Sequence, residues 1–515
     1  MTGSAPVRVA VSVSSGASLG AYEAGAVAGV LVALQRLNER DARAGHPPSV
    51  QVDAVGGASA GAMVALLAVR CLLAGLDPVA VLHAGWVDRA SLRRLTRGRS
   101  EAPLSLATVH DDTVELLEPR DRRGRPRHRL PAGARQEQPV ELAVGLGNLQ
   151  GLTYPIDTAD GRLHSGLAHA DEVRFTLRPG DGRERYVQPR RSSPLDAALA
   201  SMSHPALFDP RALDRRPDEV RYRRAGVTDF PASGHFWYAD GGALVPHPLG
   251  AAIAAARQAD GAAWGGEAAQ GERMHVLIHP HTTAPADDGR WTDPDRRPGW
   301  GGTLARLVST LSVEALYRDL RGVEDVNARK RRLDELAGVL ASHLDDGAVA
   351  ALREAVGGPA GGEPGELLRR ALHAAGGVAG KVPVTTEVVS PLGLVQSARG
   401  ESPPHGQERV PDLLAGEFLV RFGGFGGRAF RHSDFVLGWR STRAWLPGAL
   451  GRAGLPAEAV DAATAALDAR DVRYGVHGRL GRSGPGDVPL VPRLRMAGAL
   501  ARAGRGLLTG VLRGG

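Results

Sequence analysis

The feature that most constrains this chain is an apolar run, a tight turn of small residues and an Ala/Leu-rich run, which follow one another at residues 52–69. The turn is the pentapeptide GASAG at residues 57–61, which fits the pattern G-x-S-x-G. Between a strand and a helix this pattern is typical of a nucleophile elbow, a strained turn that exposes one serine hydroxyl at the edge of a sheet. We therefore predict that Ser59 is a nucleophile.

The residues around Ser59 favour the same interpretation. Gly57, Ala60 and Gly61 would leave the turn uncrowded against the neighbouring strand and helix. The helix begins directly behind the serine, so its free N–H groups and its dipole would favour a developing negative charge at this point. The turn is therefore expected to support the chemistry of the serine as well as to expose it.

A second G-x-S-x-G match, GASLG at residues 16–20, also lies between a predicted strand and a predicted helix. With 68 glycines in 515 residues, either match alone is a weak signal. The first turn is longer, and Leu19 is bulky where an elbow has a small residue. That loop is better suited to exposing several backbone N–H groups than to presenting one hydroxyl, which favours Ser59 over Ser18 as the nucleophile.

The order of predicted elements indicates the fold class. Strand, turn and helix occur at residues 7–37 and again at 52–72, and this early alternation predicts an α/β fold with a mainly parallel sheet. A segment rich in Pro, Asp and Gly at residues 283–299 is the clearest linker, and beyond it the pattern becomes helical. We divide the chain into a first domain at residues 1–285, a helical extension packed on it at 286–446, and a helical Gly/Arg-rich tail at 447–515.

Composition narrows the classes of partner. The chain is 43% hydrophobic and 23% charged, which is ordinary for a globular protein. Its net charge of +7 is spread along the chain without zinc-finger or basic-zipper spacing, so we predict no nucleic-acid partner. A mildly basic protein can still be attracted to an anionic membrane surface.

We predict neither a metal nor a cofactor. The single cysteine, Cys71, argues against an internal disulfide framework and a cysteine-ligated zinc site. His275, His279 and His281 could share one face of a predicted strand, but no acidic residue follows them closely. No signal peptide or transmembrane run is apparent in the sequence. We expect a cytoplasmic protein, or one peripheral to the inner face of a membrane.

Three segments in this order resemble the patatin-like phospholipase family. They are the loop SGASLGAY at residues 15–22, GASAG at 57–61, and DGG at 240–242. ASMSHPALF at residues 200–208 is similar to the segment that precedes the family's aspartate. The resemblance covers residues 7–281 well and the rest loosely or hardly at all. It implies a three-layer patatin-like fold with a mainly parallel central sheet, followed by a largely helical C-terminal region.

In that family a serine and an aspartate form a dyad that hydrolyses acyl esters of lipids. The resemblance therefore implies that Ser59 attacks the acyl carbonyl and that Asp240 takes its proton. Gly241 and Gly242 would let the chain turn away behind the carboxylate. An aspartate with an ordinary pKa of about 3.9 is a poor base in water, so Asp240 must lie in a sheltered site within hydrogen-bond reach of the serine.

The resemblance also assigns the first loop to an oxyanion hole. The N–H groups of Gly16, Ala17 and Ser18 would meet the charge that develops on the carbonyl oxygen. Leu19 stands where the family usually has Arg or Lys, and Pro246 stands where an asparagine often follows D-G-G. Both departures put the choice of substrate and the rate in question more than the type of reaction.

Two alternatives stay open. An α/β-hydrolase esterase with a Ser-His-Asp triad could use His247 or His275, although that fold needs several strands before its elbow and only about 50 residues precede this one. A catalytically silent lipid-binding or scaffold protein is the second alternative, which the presence of both Ser59 and Asp240 disfavours. The sequence indicates neither the lipid head group nor the oligomeric state.

The end of the chain suggests how a lipid surface could be reached. Residues 489–515 carry apolar residues at helical spacing with interleaved arginines, and no acidic residue follows Asp487. A basic amphipathic helix of this kind can lie in a membrane interface. The alternative is a terminal helix packed on the rest of the protein, with a frayed end.

Overall fold

The structure is a computed structural model of the chain. It describes residues 6–512 apart from residues 99, 158–162, 189–191, 206, 245–248, 262–272, 281–294, 296–298, 357–362, 400–409, 420 and 475–482. Within the described residues, strands form one sheet and α-helices cover both of its faces.

The sheet has eight strands in the described part of the chain. They are β1 (Val7–Val13), β2 (Val50–Ala58), β3 (Val140–Asp157), β4 (Leu163–Leu177), β5 (Arg211–Asp214), β6 (His235–Ala239), β7 (Arg273–Ile278) and β8 (Thr385–Val389). Their order is β5-β6-β3-β2-β1-β7-β8, and β4 pairs with β3. The strands β3, β2, β1, β7 and β8 run parallel, whereas β4, β5 and β6 pair in antiparallel fashion. This confirms the predicted α/β fold with a mainly parallel sheet.

Short helices dominate the first half of the chain and long ones the second. The first ten are α1 (Gly20–Arg43), α2 (Ala60–Ala74), α3 (Pro78–His83), α4 (Leu92–Leu95), α5 (Ala107–Leu117), α6 (Arg183–Tyr186), α7 (Pro194–Ser201), α8 (Glu219–Arg224), α9 (Gly241–Leu244) and α10 (Leu249–Ala259). The others are α11 (Trp300–Ala341), α12 (Asp346–Val356), α13 (Pro364–Ala375), α14 (Pro391–Arg399), α15 (Val410–Leu413), α16 (Arg428–Arg452), α17 (Ala457–Tyr474) and α18 (Leu490–Leu512).

Helices on the two faces of the sheet give the predicted three layers. On one face α10 packs on β1, β2 and β3, and the hydrophobic cluster at this contact consists of alanine side chains. They are Ala10, Ala54, Ala143, Ala251, Ala255 and Ala256. Because alanine is small, the helix lies close to the sheet. On the other face α1, α2 and α16 contribute to the main hydrophobic core.

The helices α1 and α16 cross with their backbones in contact. A Cβ at Gly25 would lie 2.0 Å from the carbonyl oxygen of Phe435, and a Cβ at Gly438 would lie 2.0 Å from that of Tyr22. Only glycine permits this approach at either position. Phe435 and Trp439 of α16 are fully buried in the same core. The C-terminal region therefore contributes directly to the core of the first domain.

The region beyond residue 285 is largely helical, as predicted, but it also contains a strand. The sequence analysis names no strand in this largely helical region, whereas β8 pairs in parallel with β7, from Met274 opposite Thr385 to Ile278 opposite Val389. Only Val389 of this short edge strand is fully buried, so its hydrophobic pattern is weak. The division of the chain at residues 285 and 446 stays a prediction.

One stretch, Ala17–Arg43, is long and apolar enough to cross a membrane by length and composition. Of its most apolar window, 94% is buried inside the fold. It contains α1, which packs against α16 and α2. Its apolar surface is thus used in the protein core.

Candidate active site

Ser59 lies in a strained turn between β2 and α2. Its backbone has φ 53° and ψ −125°, a left-handed conformation that is uncommon for any residue except glycine. Such a conformation costs about 1–3 kcal/mol and persists only where the surroundings fix it. The residue is 6% exposed. The structure therefore gives Ser59 the backbone geometry that the sequence analysis predicts for a nucleophile elbow.

Close packing explains the small residues of the turn. A Cβ at Gly57 would lie 2.3 Å from the carbonyl oxygen of Gly61. A Cβ at Gly61 would lie 2.2 Å from the carbonyl oxygen of Ser14, at the end of β1. The neighbouring Ala60 is the first residue of α2 and is also buried. Larger side chains at either glycine would displace the backbone that carries Ser59.

A hydrogen-bond chain holds the elbow on its other side. The Ser59 N–H donates to the hydroxyl of Ser201, at 2.8 Å. That hydroxyl in turn donates to the carbonyl oxygen of Gly145 in β3, at 2.6 Å. The Ser59 N–H is therefore already used in a hydrogen bond within the fold, so other N–H groups must form any oxyanion hole.

Asp240 reaches Ser59 from the end of β6. The Asp240 N–H donates to the carbonyl oxygen of Ser203, at 2.9 Å, and the Gly242 N–H donates to Asp240 Oδ1, at 2.8 Å. The Ser59 hydroxyl acts on the carboxylate as a polar neighbour that lowers the pKa of Asp240. The structure thus brings together the two residues that the sequence analysis places in a dyad.

Burial shifts the pKa of the Asp240 carboxyl. Asp240 is 6% exposed, and desolvation raises the pKa of its carboxyl above the ordinary value. Nearby His204 and the hydrogen bonds from Gly242 and Ser59 oppose this rise by favouring the charged form. A carboxylate with a raised pKa is a stronger base than an exposed aspartate. The sheltered site that the proposed chemistry requires is therefore present.

The two glycines after Asp240 are also required by packing. A Cβ at Gly241 would lie 2.0 Å from the carbonyl oxygen of Gly145, and one at Gly242 would lie 2.2 Å from Ser15 Oγ. The chain therefore turns away directly behind the carboxylate, where larger residues would collide with β3 and the first loop.

The first loop, SGASLGAY at residues 15–22, is termed the glycine-rich loop. Two of its three predicted oxyanion-hole residues lie beside Ser59. Gly16 and Ala17 line the same cavity as Ser59. Ala17 has φ 47°, so this loop also contains a strained residue. The Leu19 N–H donates to the carbonyl oxygen of Gly16, at 2.8 Å, and closes a short helical turn.

Ser18 departs from its predicted role. Its N–H donates to the carbonyl oxygen of Arg421, at 2.9 Å, and its hydroxyl donates to the same oxygen, at 2.5 Å. The Ser18 hydroxyl also accepts a hydrogen bond from the Gly424 N–H, at 3.0 Å. In this structure the Ser18 N–H group is therefore not available to an oxyanion. The predicted oxyanion hole narrows to Gly16 and Ala17.

A mostly apolar cavity opens beside the serine. Side chains of α2, α5 and the segments around them form its wall. They are Met63, Leu67, Trp86, Leu95, Leu106, Val109, Leu116, Phe208, Phe422 and Phe425. Ser59 and Asp240 lie in the same lining. A wall of this composition can bury the hydrocarbon chain of a ligand while the polar pair contacts its ester group.

The sequence analysis does not identify two residues of the cavity, His204 and Arg421, as functional residues. His204 lies close enough to Asp240 to lower the pKa of its carboxyl, and its ring packs edge-on against Phe422 with centroids 5.5 Å apart. Among the described residues, His204 Nδ1 has no hydrogen-bond partner. Arg421 lines the cavity from a segment far along the chain. His204 lies in a segment that the resemblance already singles out, whereas no local pattern marks Arg421.

Of the histidines considered for a triad or a metal site, the structure describes His275 and His279, and neither lines this cavity. His275 is buried in β7, away from the lining residues, and burial lowers the pKa of its ring to about 4. His247 and His281 lie outside the described residues, as does Pro246. Within the described part of the chain, no group of three metal-ligating side chains occurs.

The fold and the site define the chain as an α/β protein that places an elbow serine against a buried aspartate. Residues 11–253 match the family model described as patatin-like phospholipase. The matched range contains both Ser59 and Asp240, in agreement with the resemblance seen in the sequence. This match supports lipid acyl hydrolysis as the general activity.

Among solved structures, the chain is similar to the protein in the crystal structure of VipD from Legionella pneumophila. The two chains share 14% sequence identity with a TM-score of 0.21, and the match covers 83% of this chain and 66% of VipD, just under two thirds. A search of curated proteins gave no match. The family assignment therefore rests on the match over residues 11–253.

Proposed function

We propose that the protein cleaves carboxylic ester bonds of membrane lipids, in the manner of a phospholipase A, with Ser59 as nucleophile and Asp240 as general base. One observation carries the proposal: a strained serine and a buried carboxylate, whose pKa the serine hydroxyl lowers, line the same apolar cavity. The cavity would hold the acyl chain of the lipid, and the lipid surface would be the partner. A cytoplasmic protein that visits the inner face of a membrane fits this proposal.

The reaction begins with proton transfer within the dyad. As the Ser59 hydroxyl attacks the ester carbonyl, its proton passes to the Asp240 carboxylate. The carbonyl oxygen gains negative charge, which the N–H groups of Gly16 and Ala17 and the N-terminus of α2 would stabilise. Loss of one oxyanion donor in other hydrolases costs about 100- to 1000-fold in rate, so the loop geometry matters as much as the dyad.

The tetrahedral intermediate then collapses. The bond to the leaving alcohol breaks, and that alcohol takes the proton from Asp240, which leaves an acyl ester on Ser59. Water attacks this ester and gives its proton to the carboxylate. When the Ser59 oxygen leaves, it takes that proton, so the fatty acid departs and the dyad returns to its first state. Asp240 therefore acts in both halves of the reaction.

Turnover by two variants tests the proposal. Ser59→Ala and Asp240→Asn should each reduce phospholipid hydrolysis by about 1000-fold or more, because the two residues act as one unit. The double variant should be scarcely slower than either single variant. Ser342→Ala and Asp325→Asn, at exposed positions of the helical region, are matched controls and should retain full activity.

Two results would contradict the proposal. Full activity of Ser59→Ala would require another nucleophile. A wild-type protein that binds lipid vesicles but hydrolyses none of several ester classes would instead be the silent lipid-binding protein considered above.

A further inference from the structure

His204 is a titratable residue of the cavity that the mechanism above does not use. It lies in the lining together with Ser59 and Asp240. Among the described residues, its Nδ1 is buried and has no hydrogen-bond partner. Nearly all buried polar atoms in proteins have a partner, and an exception beside a cavity is typical of a functional group. The ring of His204 therefore brings hydrogen-bonding capacity to the cavity that the fold does not use.

The chain segment before His204 contacts both members of the proposed dyad. The hydroxyl of Ser201 accepts the Ser59 N–H, at 2.8 Å. The carbonyl oxygen of Ser203 accepts the Asp240 N–H, at 2.9 Å. His204 is the next residue of the chain, so its position is fixed relative to both the nucleophile and the base.

Main-chain bonds and an apolar contact hold His204 in place. Its N–H donates to the carbonyl oxygen of Met202, at 2.8 Å, and its own carbonyl oxygen accepts the N–H groups of Leu207 and Phe208, each at 2.9 Å. The ring packs edge-on against Phe422, with centroids 5.5 Å apart. None of these contacts uses a ring nitrogen. The imidazole is thus positioned by groups that a ligand would not displace.

The arrangement differs from a Ser-His-Asp triad. In a triad the histidine stands between the serine and the aspartate and is hydrogen-bonded to both. Here the Ser59 hydroxyl is itself a polar neighbour of the Asp240 carboxylate, and His204 acts on Asp240 through its charge. His204 is therefore a third polar group beside the reacting atoms, and the proton transfer between serine and aspartate does not pass through it.

One charge in the reaction has no hydrogen-bond donor assigned to it. As the ester bond breaks, the oxygen of the leaving alcohol gains negative charge until it receives the proton from Asp240. The N–H groups of Gly16 and Ala17 in the glycine-rich loop are assigned to the carbonyl oxygen, which is a different atom. Aliphatic alcohols leave slowly because their alkoxides are strongly basic. In a mostly apolar cavity, a donor beside this oxygen stabilises its charge more than water does.

We infer that His204 is a further catalytic residue, whose ring N–H donates a hydrogen bond to the oxygen of the leaving alcohol and suits the site to esters of aliphatic alcohols such as glycerol. The inference rests on the function proposed above. Imidazole carries a proton on one nitrogen when neutral and on both when charged, so a donor is present in either state. His204 keeps its proton, and the proton that the alcohol gains still comes from Asp240.

Two esters of one fatty acid test this inference, one with an alkyl alcohol and one with p-nitrophenol. The p-nitrophenolate ion is weakly basic, so its departure needs little stabilisation. His204→Phe keeps an aromatic ring beside Phe422 and removes the N–H group. It should lower kcat/KM for the alkyl ester by about 10- to 100-fold, the usual effect of one hydrogen bond to a charged group, and change that for the p-nitrophenyl ester less than threefold.

Two further variants complete this test. His204→Gln restores a side-chain N–H group and should recover part of the lost activity on the alkyl ester. His110→Phe changes a histidine outside the cavity and is the matched control, with full activity expected on both esters. Activity on the p-nitrophenyl ester also shows that each variant is folded and that its dyad is intact.

A second measurement separates this role from binding of a head-group phosphate. Phosphatidylcholine and diacylglycerol with the same acyl chains both release an aliphatic alcohol. His204→Phe should therefore lower kcat/KM for the two lipids by similar factors. A loss confined to phosphatidylcholine would assign His204 to the phosphate and overturn the inference.

Failure of the inference differs from failure of the proposed function. Equal losses on the alkyl and p-nitrophenyl esters in His204→Phe would show a structural role, and unchanged activity on both would show no role. Either result overturns the inference while ester hydrolysis by the dyad stands. Full activity of Ser59→Ala would instead remove the proposed function itself.

Discussion

At the residue scale, the site depends on a strained serine and on a carboxylate that burial makes more basic. The left-handed backbone of Ser59 is fixed by Gly57, Gly61 and the hydroxyl of Ser201. The pKa of Asp240 is raised by burial and lowered by His204 and two hydrogen bonds. A strained backbone and a buried carboxyl group both lower the stability of the folded protein, and both are common at functional sites.

The raised pKa of Asp240 predicts the pH dependence of the reaction. A general base must be ionised, so kcat/KM should fall as pH decreases through the pKa of Asp240 in the free enzyme. Because burial raises this pKa above its ordinary value of 3.8, the fall should begin at a higher pH than for an exposed aspartate. His204 favours the ionised form, so His204→Asn should move the fall to still higher pH.

Full pH profiles of kcat/KM check this prediction, with His110→Asn as a control at a more exposed histidine outside the cavity. A fall centred below the ordinary pKa of aspartate would contradict the burial argument. An unchanged profile in His204→Asn would show that His204 does not influence the dyad.

At the element scale, α18 is partly packed on the protein and partly exposed. Ala499 is 4% exposed, and Met496 packs against the cluster of Val488 and Phe430, so part of the helix docks on the protein. Leu490 and Leu494 are 68% and 64% exposed, one helical turn apart. An exposed apolar stripe on a helix without acidic residues fits the proposed membrane contact.

Replacing this stripe tests the membrane contact without removing the packed half of the helix. Changing Leu490, Val491 and Leu494 to Ser should weaken co-sedimentation with anionic vesicles at low salt by about tenfold, because each loses favourable apolar transfer. Hydrolysis of a soluble short-chain ester should stay unchanged. The matched control changes Leu336, Val339 and Leu340 of α11, which are also exposed. If the α18 variant and the wild type bind the vesicles equally, the helix has only a packing role.

Elements with strong local signals could be predicted from sequence, and those defined by distant partners could not. The units β1–α1 and β2–α2 have apolar strands, small-residue turns and long apolar helices, so their pattern suffices. The strand β8 pairs with β7 more than 100 residues earlier in the chain, and its own sequence is half-exposed. Arg421 joins the cavity lining from the segment before α16, whose position depends on contacts with Ser18 and Asp434. No local sequence pattern encodes such contacts between distant segments.

At the scale of the whole molecule, the first part of the chain and the C-terminal region share one sheet and one core. The strand β8 completes the sheet, and α16 contributes Phe435, Val436, Leu437 and Trp439 to the core that contains α1. The segment before α16 reaches the candidate site through Arg421, Phe422 and Phe425. The family match ends at residue 253. The strand β8 and the helix α16 therefore come from sequence outside the matched range.

A truncation series tests this continuity. A chain that ends at residue 285 lacks β8 and α16 and would expose their apolar partners. Each large buried side chain of α16 contributes about 1.5–3 kcal/mol, and four of them approach the whole stability of a typical domain, about 5–15 kcal/mol. We therefore expect residues 1–285 to be insoluble or to unfold without cooperativity, whereas residues 1–474 should unfold in one thermal transition. Cooperative unfolding of the shorter chain would show that the first domain is independent.

The central claim, that Ser59 and Asp240 act as a catalytic dyad, is tested most directly by mapping a covalent adduct. The protein would be treated with a serine-directed fluorophosphonate, digested, and analysed by mass spectrometry. We predict one rapid adduct on Ser59, none in Ser59→Ala, and labelling slowed by about 100-fold or more in Asp240→Asn, because the carboxylate activates the hydroxyl. An adduct on Ser18, or labelling of Asp240→Asn at the wild-type rate, would contradict the account.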